Sequence, residues 1–577
     1  MSVKFSREHW LIAAALFVTV GILGALRMAP GVVGVFHDDG IYVATAKALA
    51  EGKGYRLIDL PGEPPQTKYP FLYPSVLALL WRLWPVFPNN LVLLQAFSLI
   101  CASGSVAIAF LYLVRFGYFS KTEAASASLI GATSPVVLYF ATQTLSEPLF
   151  GLLLICGLWC VESELHRSTR IGRSTSLFHG VTLALPFLTR VVAGPVLAVG
   201  SLLVLWRKRN IWLLVGTGCC SSLWVWWVLR HSVAPVADGD VGTYYTVTPY
   251  ISWWSQRMLN PLRVPAWNTV FLLSSTITVP LPAFAAVASH FVWIVLVGGL
   301  ATWWLIAKGL VNRTVLVGSL AGYAALILLW PWPPARFLVP LVPLVSVFLV
   351  KGINRASLFC PGPVRTSLLA TLLSAAVLSN LVVLREDIAS TRRSGYPRFP
   401  GISDPLKWAH FEEMFSWVRL HSSPDDVVAS GLDTMLFLYT GRHAVRPFEP
   451  RPVDVFYGDS LESGTVEEFV RVLNRYHVRV FVRFPMPGFA DDGIDRVLSE
   501  TMRRFPGCLS AVYSIPADSR FAAFAIDRRF CASTQTTDTL FTAPATLTLL
   551  PADAVDMDVD LDPAVPPSRH RPRHSEE

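Results

Sequence analysis

Apolar runs long enough to cross a lipid bilayer recur along the first two thirds of the chain. A transmembrane α-helix needs about 20 predominantly apolar residues, because in hydrocarbon the backbone polar groups must bond within their own segment. The candidate spans lie at residues 10–26, 91–114, 124–141, 147–161, 178–189, 191–206, 211–229, 284–307, 314–330, 337–350 and 366–384. The sequence therefore predicts a polytopic α-helical membrane protein with about 11 spans.

Charged residues divide the chain into two parts of different character. Residues 1–384 contain 26 Lys/Arg and 12 Asp/Glu, whereas residues 385–577 contain 22 and 28, a density typical of soluble domains. We predict a transmembrane domain at 1–384, a linker at 385–403, an α/β domain at 404–531 and a disordered tail at 532–577. The basic excess lies between apolar runs, so it indicates membrane orientation and no nucleic-acid partner.

Lysine and arginine in the short connections predict how the chain lies in the membrane, since they favour cytoplasmic loops. With a cytoplasmic N-terminus, clusters such as 207–209 fall inside, while the loop at 30–70 and everything after Arg385 fall outside. We expect a multi-pass protein of the inner or plasma membrane with an extracytoplasmic C-terminal domain. If the segment 71–88 spans, all later elements invert, but its length and central Arg82 favour an interfacial helix.

The segment 404–531 has the pattern of a small α/β domain. Its predicted elements are helices at 407–421 and 466–477 and buried strands at 427–430 and 478–483. Cys508 and Cys531 flank a further strand-like stretch. Because this domain is expected in an oxidising compartment, we predict a disulfide between the two cysteines.

Acidic side chains near a bilayer are costly to bury, so they are candidates for function. Four acids lie at predicted cytoplasmic ends, where we expect solvent around them: Glu8, Glu123, Glu162 and Glu164. Asp38 and Asp39 instead follow the first span on the outer side, at the start of a predicted helix. Capping that helix would explain one of the two acids but not both. His37 beside them is either a metal ligand or a polar neighbour.

A third acid and three cations are expected on the same outer side. Glu147 lies in a very short turn, within a Ser-Glu-Pro sequence that is also a good helix start. Lys68, Arg190 and Arg336 are each either a snorkelling anchor at the headgroup level or part of a binding site. Cations suit a phosphate or pyrophosphate, and carboxylates suit proton abstraction or a metal. The combination predicts a site for a phosphorylated ligand.

The predicted outer segment 231–283 is rich in Trp, Tyr and Pro. Aromatic side chains suit a belt at the membrane interface or a lid over a lipid or sugar site, and the two interpretations are compatible. The aromatic residues of this segment include Tyr244, Tyr245, Trp253, Trp254 and Trp267.

These motifs resemble those of the GT-C glycosyltransferases, polytopic enzymes that move a sugar from a polyprenyl-phosphate donor to an acceptor outside the cytoplasm. The family includes protein O-mannosyltransferases and the aminoarabinose transferase of lipid A. Its hallmark is an acidic pair in the first outer loop, followed by interfacial helices and a second outer acid before proline. The matching stretches are Asp38-Asp39, 40–52, Lys68-Tyr69-Pro70, 71–88, Glu147-Pro148, 188–190 and 336–340. The resemblance covers about residues 10–384.

The resemblance implies roles for the residues at the matching positions. Asp38 would be the catalytic base with Asp39 in support, and Glu147 would support the acceptor or a divalent metal. Three cations would bind the donor phosphate: Lys68, Arg190 and Arg336. A metal, with ligands from Asp38, Asp39 and Glu147, is optional because Lys and Arg can neutralise the phosphate.

The implied reaction transfers a hexosyl or pentosyl group in a single displacement, which inverts the anomeric centre. The acceptor is a lipid, a glycan or a protein, and the sequence does not distinguish among them. One alternative is a transporter or flippase of lipid-linked sugars, which would use the same charges without a covalent step. Related halves with broken helices would mark a transporter, and the sequence lacks that symmetry. The other alternative is an assembly partner whose outer domain binds envelope components.

Overall fold

The computed structural model describes residues 4–167, 171–231, 245, 262–284, 292, 314–359, 361–400, 406–449, 457, 464–485 and 492–531. The first part of the chain is helical: α1 Arg7–Arg27, α2 Asp38–Ala50, α3 Leu72–Leu83, α4 Leu91–Arg115, α5 Lys121–Thr133, α6 Pro135–Ala141, α7 Glu147–His166, α8 Arg173–Thr189, α9 Gly194–Lys208, α10 Ile211–His231, α11 Arg263–Thr278, α12 Thr314–Leu329, α13 Ala335–Leu338, α14 Val342–Ala356 and α15 Gly362–Ser394. The last part contains α16 Trp408–His421, β1 Val428–Ser430, α17 Asp433–Thr440, β2 Ala444–Val445, α18 Val466–Arg475, β3 Val480–Arg483, α19 Asp492–Arg504, β4 Leu509–Ile515 and β5 Asp518–Ile526.

Seven of the described helical segments are long and apolar enough to cross a membrane, or eight if the bent pair α5–α6 counts as one span. A hydrocarbon core of about 30 Å needs about 20 residues of helix. The outer surfaces of these helices expose large apolar side chains, such as Trp10 and Ile22 on α1 and Leu378 on α15, which suit contact with lipid. The chain is a polytopic helical membrane protein with a small C-terminal sheet domain.

Ten of the predicted spans coincide with described helices, and the remaining one, 284–307, lies almost entirely outside the described residues. Helices α8 and α12 are short for a span, with 17 and 16 residues. Most of the aromatic segment 231–283 also lies outside the described residues. Its described part includes Tyr245 and the helix α11, which the sequence analysis did not anticipate.

The predicted span 124–141 is broken into α5 and α6, which meet at an angle of 64°. Pro135 begins α6 and has no backbone N–H to continue the hydrogen-bond ladder of α5. The Ser134 side chain accepts a hydrogen bond from the Val137 N–H at 3.3 Å and so caps the new helix. The Ser-Pro pair therefore causes the bend.

The segment 71–88, whose placement decided the predicted orientation, contains the 12-residue helix α3. At 1.5 Å per residue this helix is about 18 Å long, too short to cross a bilayer core. Tyr73, Leu77 and Trp81 are buried on one side, whereas Leu79 and Leu83 are 61% and 78% exposed. This two-sided pattern agrees with the interfacial helix that the sequence predicts.

A buried ion pair joins α1 to α15 near the end of the bundle that carries the C-terminal domain. Arg27 Nε donates to Asp387 Oδ2 at 2.5 Å. The same guanidinium donates to Thr142 Oγ1 at 2.9 Å and to the Arg398 carbonyl oxygen at 2.7 Å, and it lies 4.7 Å from the Tyr139 ring centroid. A buried charge needs such partners to offset its lost hydration. Arg27 therefore ties the first span to the last described one.

The expectation that four inner acids are solvated is wrong for three of them, which are buried: Glu123, Glu162 and Glu164. Most of their partners come from other parts of the chain; Glu123 on α5, for example, accepts hydrogen bonds from Lys351 at 2.5 Å and Asn354 at 2.8 Å. Sequence position alone does not reveal such contacts between helices. Glu8 is exposed as expected, at 59%, and pairs with Lys121 at 2.5 Å.

The C-terminal sheet has the strand order β2-β1-β3-β5-β4. Strand β1 is parallel to β2 and β3, whereas β5 is antiparallel to β3 and β4. Parallel neighbours need crossover connections, which α17 and α18 provide. The predicted helices and strands of this segment are confirmed, and so is the Cys508–Cys531 disulfide. Helix α15 continues to Ser394, into the segment 385–403 predicted as a linker.

The C-terminal domain packs against the loop that joins α1 to α3. The Ala444 N–H in β2 donates to the Asp59 carbonyl oxygen at 2.9 Å, so the loop lies along this edge of the sheet. The Tyr439 hydroxyl donates to the Gly31 carbonyl oxygen at 2.5 Å and accepts from the Val33 N–H at 3.1 Å. We call this end of the helix bundle the domain end, and the other end, where Glu123 lies, the opposite end.

Candidate active site

Asp38 lies at the domain end of the bundle, where α2 begins. An acid in the first turn of a helix is favoured by the exposed N–H groups there. Its Oδ2 accepts a hydrogen bond from Arg336 Nη1 at 2.6 Å, and its Oδ1 accepts one from the Tyr69 hydroxyl at 2.5 Å. The side chains of Asp38 and Arg336 are 16% and 18% exposed, so the pair is accessible from outside the fold.

Glu147 lies next to this pair as the first residue of α7, ahead of a proline that suits the first turn of a helix. Arg336 Nε and Arg190 Nη1 both donate to Glu147 Oε1. Arg336 therefore bridges Asp38 and Glu147, and Arg190 adds a second cation to Glu147. The structure brings these predicted site residues, from four separate stretches of sequence, into one cluster.

Two polar atoms of the cluster have no hydrogen-bond partner among the described residues. Glu147 is almost fully buried, yet its Oε2 has no hydrogen-bond partner among the described residues, and neither has Arg336 Nη2. Buried polar groups are nearly always hydrogen-bonded, so these two atoms are available to a water or a ligand. A cavity of about 20 Å³ lined in part by Glu147, Ser105 and Pro340 has room for about one water molecule.

Lys68 is buried in the loop between α2 and α3, close enough to Asp38 for each charge to shift the other's pKa. Burial lowers the pKa of Lys68 to about 7, although Asp38 acts in the opposite sense. Burial alone would raise the pKa of Asp38, but the charges of Arg336 and Lys68 and the Tyr69 hydrogen bond lower it to about 2. Asp38 is therefore a carboxylate at neutral pH.

Asp39 does not join the charged cluster. Its carboxylate accepts hydrogen bonds from the Gly34 N–H at 2.7 Å and the Phe36 N–H at 3.0 Å, and its side chain is fully buried. Burial raises the pKa of Asp39 to about 6 despite these hydrogen bonds. Its observed contacts are with the backbone of the loop that precedes α2, rather than with the charged partners of Asp38.

The arrangement of the described residues does not fit the metal site that the sequence left open. A guanidinium lies between the carboxylates of Asp38 and Glu147, and Asp39 faces the backbone. Within the described ranges, no group of three or more His, Cys, Asp or Glu side chains is placed to hold a metal ion. His37 contacts Asp433, with 2.8 Å between Nε2 and Oδ1, as a polar neighbour would.

The sequence analysis missed residues that the C-terminal domain brings to the edge of this site. Asp433 begins α17 and accepts hydrogen bonds from His37 and from the Tyr245 hydroxyl. Its neighbour Thr434 donates to Asp59 Oδ2 at 3.1 Å. A signal was present, because Asp433 follows the carboxyl end of β1, which has parallel neighbours on both sides, and α/β domains place functional side chains at such strand ends.

No protein-family model matches the chain, and no curated protein sequence does. Its structure is similar to that of ArnT from Cupriavidus metallidurans bound to undecaprenyl phosphate, with 13% identity and a TM-score of 0.50 over 92% of this chain and 100% of ArnT. The Archaeoglobus fulgidus oligosaccharyltransferase tethered with an acceptor peptide is 10% identical, with a TM-score of 0.49 over 90% of this chain and 74% of that one. The arabinofuranosyltransferase AftD from mycobacteria is 15% identical, with a TM-score of 0.44 over 91% and 40%. The similarity along the full length of ArnT shows that this chain has the GT-C fold.

Proposed function

We propose that this chain is a membrane glycosyltransferase that moves a sugar from a polyprenyl-phosphate donor to an acceptor at the domain end of the bundle. One observation carries the proposal: Asp38, Glu147, Arg190 and Arg336 form a single, partly buried cluster in which Glu147 Oε2 and Arg336 Nη2 have no hydrogen-bond partner among the described residues, and Lys68 lies close to it. The fold adds support, since the similar protein ArnT is bound to undecaprenyl phosphate.

The donor phosphate would bind at the cations of the cluster. Arginine presents several donors in a planar fork that matches phosphate geometry, and Arg336 has one nitrogen without a partner among the described residues. Lys68 lies near enough to add a third charge to those of Arg190 and Arg336. These charges stabilise the prenyl phosphate as it leaves, which is where negative charge develops in the reaction.

Asp38 would act as the catalytic base in a single displacement. The acceptor oxygen forms a bond to the anomeric carbon, the bond from that carbon to the phosphate oxygen breaks, and Asp38 takes the hydroxyl proton. A pKa of about 2 makes Asp38 a poor base in the empty site. A phosphate beside Arg336 and Lys68 offsets the charges that lower this pKa, so donor binding makes Asp38 more basic.

The reaction is tested with purified protein and a panel of prenyl-phosphate sugars carrying hexoses or pentoses. We expect release of prenyl phosphate from at least one donor when lipid, glycan or protein acceptors are supplied. An inverted anomeric configuration in the product, measured by NMR, supports the single displacement. Donor transport across vesicles without release of prenyl phosphate would instead favour the transporter.

The domain end would face away from the cytoplasm. The basic connections predict this orientation, and the short helix α3 does not add a span that would reverse it. An alkaline phosphatase fusion at Asp404 should therefore be active. Activity of a cytoplasmic reporter at the same position, with an inactive phosphatase, would contradict the orientation.

A further inference from the structure

A strained turn stands directly before Asp38. The Asp38 N–H donates to the Phe36 carbonyl oxygen at 2.8 Å, which closes a three-residue γ-turn around His37. His37 has φ 63° and ψ −56°, a conformation that residues with a side chain rarely adopt. Such strain persists only where the surroundings hold it, and it concentrates at functional sites.

The His37 side chain is held by the C-terminal domain. His37 Nε2 lies 2.8 Å from Asp433 Oδ1, and the two side chains are only 3% and 0% exposed. The two residues are separated by 396 positions in the sequence, so the contact requires the domain to be docked. Asp433 is itself fixed by a hydrogen bond from Tyr245.

The backbone of the turn also lies directly against the start of α17. A Cβ atom added to Gly34 would stand 2.5 Å from Met435 Cβ and 2.9 Å from Met435 Cα. One added to Gly40 would stand 3.2 Å from Thr434 Cβ. The first turn of α17 is therefore in close contact with the loop before α2 at Gly34 and with the start of α2 at Gly40.

We propose that Asp433 is a positioning residue for Asp38, acting through His37. By holding the His37 ring, Asp433 keeps the γ-turn closed and so fixes where α2 begins and where Asp38 points. Arg336 and Tyr69 then donate hydrogen bonds to an Asp38 carboxylate that is held in one orientation. The C-terminal domain is thereby a structural component of the reaction site. This inference rests on the proposed function.

The first test replaces Asp433 and measures turnover per folded protein. Misplacement of a reacting group by about 1 Å can cost about 10²-fold, so we expect Asp433→Ala to lower kcat by about 10-fold to 100-fold. The donor KM should stay within about twofold, since the cations of the site remain. Asp433→Asn should keep most of the wild-type kcat, because its amide oxygen can still accept a hydrogen bond from His37. Unchanged kcat in Asp433→Ala would overturn the proposal.

The second test uses the backbone conformation of His37. Glycine adopts positive φ without steric cost, so His37→Gly keeps the turn accessible while His37→Ala does not. We expect kcat in the order wild type, His37→Gly, His37→Ala. If the imidazole only fills space, His37→Gly should have a kcat no higher than that of His37→Ala, because glycine is the smaller and more flexible residue. A kcat for His37→Gly that does not exceed that of His37→Ala would therefore contradict the proposal.

Thr434→Val provides the matched control. It removes the neighbouring hydrogen bond to Asp59 but keeps the shape of the side chain that packs on Gly40, so turnover should stay near wild type. A loss equal to that of Asp433→Ala would mean that general domain docking, and not the turn, controls kcat.

A structure of the full-length Asp433→Ala protein tests the turn independently of activity. We expect the His37 φ angle to become negative and the contact between Asp38 Oδ2 and Arg336 Nη1, now 2.6 Å, to lengthen beyond 4 Å. An unchanged turn would overturn the positioning role even if the protein is an active transferase. If wild-type protein releases no prenyl phosphate from any donor, the proposed function fails, while this structural comparison still decides the role of Asp433.

Discussion

Helix α7 carries three buried glutamates, Glu147 at one end and Glu162 and Glu164 near the other, and Glu147 and Glu164 have different kinds of partners. Glu164, at the opposite end, accepts hydrogen bonds from Ser176 at 2.8 Å, His179 at 2.8 Å and Asn210 at 3.3 Å, so both of its oxygens are satisfied. Glu147, at the domain end, receives two arginines on one oxygen, and the other oxygen has no partner among the described residues. Burial of a carboxylate is common to both and therefore does not by itself mark a site.

The difference lies in whether the partners are shared. The donors to Glu164 are Ser176 and His179 of α8 and Asn210 between α9 and α10, and together they satisfy both of its oxygens. Arg336 is divided between Glu147 and Asp38, two acids that compete for one cation. Arg336 can move toward a phosphate without leaving either acid wholly without a partner, because Arg190 remains on Glu147 and the Tyr69 hydroxyl remains on Asp38. The arginines at the domain end can therefore exchange a carboxylate for a phosphate as a partner. The hydrogen bonds around Glu164 instead hold the helices together.

The largest expected effect is that of Asp38→Asn. General base catalysis contributes about 10²–10⁴-fold, so turnover per folded protein should fall by about 10² or more. Asparagine can still begin the helix, and the abundance of the protein should therefore stay near wild type. Released prenyl phosphate, normalised to folded protein, gives the measurement. Near-wild-type turnover would remove the catalytic assignment of Asp38.

Glu147→Gln should have the next largest effect. The substitution keeps the shape of the side chain but removes the charge that holds Arg190 and Arg336, so kcat/KM should fall about tenfold. Steady-state kinetics with the preferred donor measures this change. The same substitution at the other end of the helix, Glu164→Gln, is the matched control, and equal losses in both variants would contradict the distinction between the two ends.

The donor KM should depend on pH because the Lys68 side chain loses its proton near neutral pH. Its pKa of about 7 lies below the usual value of 10.5, so the free side chain loses its proton as the pH rises through 7. A phosphate donor binds the protonated form better, and the donor KM should therefore rise about fivefold between pH 7 and pH 8. Lys68→Arg should flatten this dependence, since arginine stays charged. A KM that is equally pH-dependent in the arginine variant would assign the titration to another group.

Glu164→Gln should have the smallest effect on turnover and its main effect on stability. It weakens a hydrogen-bonded set that links α7 to its neighbours, which should cost about 1–3 kcal/mol of unfolding free energy. Thermal unfolding in detergent and turnover per folded protein, measured on the same preparation, separate the two quantities. Lower turnover in the fraction that remains folded would mean that the opposite end also takes part in the reaction.

Much of the membrane part could be predicted from the sequence because hydropathy depends on local composition, and ten predicted spans coincide with helices. The clustering of Asp38, Glu147 and Arg336 was also predictable, since each follows or opens an apolar segment on one side of the membrane. Contacts between distant elements were not. The burial of Glu162 depends on tyrosines of a neighbouring segment, and the role inferred for Asp433 depends on the docking of a separate domain.

The ion pair between Arg27 and Asp387 has a consequence for the timing of assembly. Asp387 is synthesised 360 residues after Arg27. At about 5–20 residues per second, translation of that interval takes about 20–70 s. Throughout this time the first span ends in a guanidinium whose counter-charge has not yet been made. Closure of this one contact therefore requires that the last described span, α15, has been made and inserted, so the first span to enter the membrane is among the last to reach its mature environment.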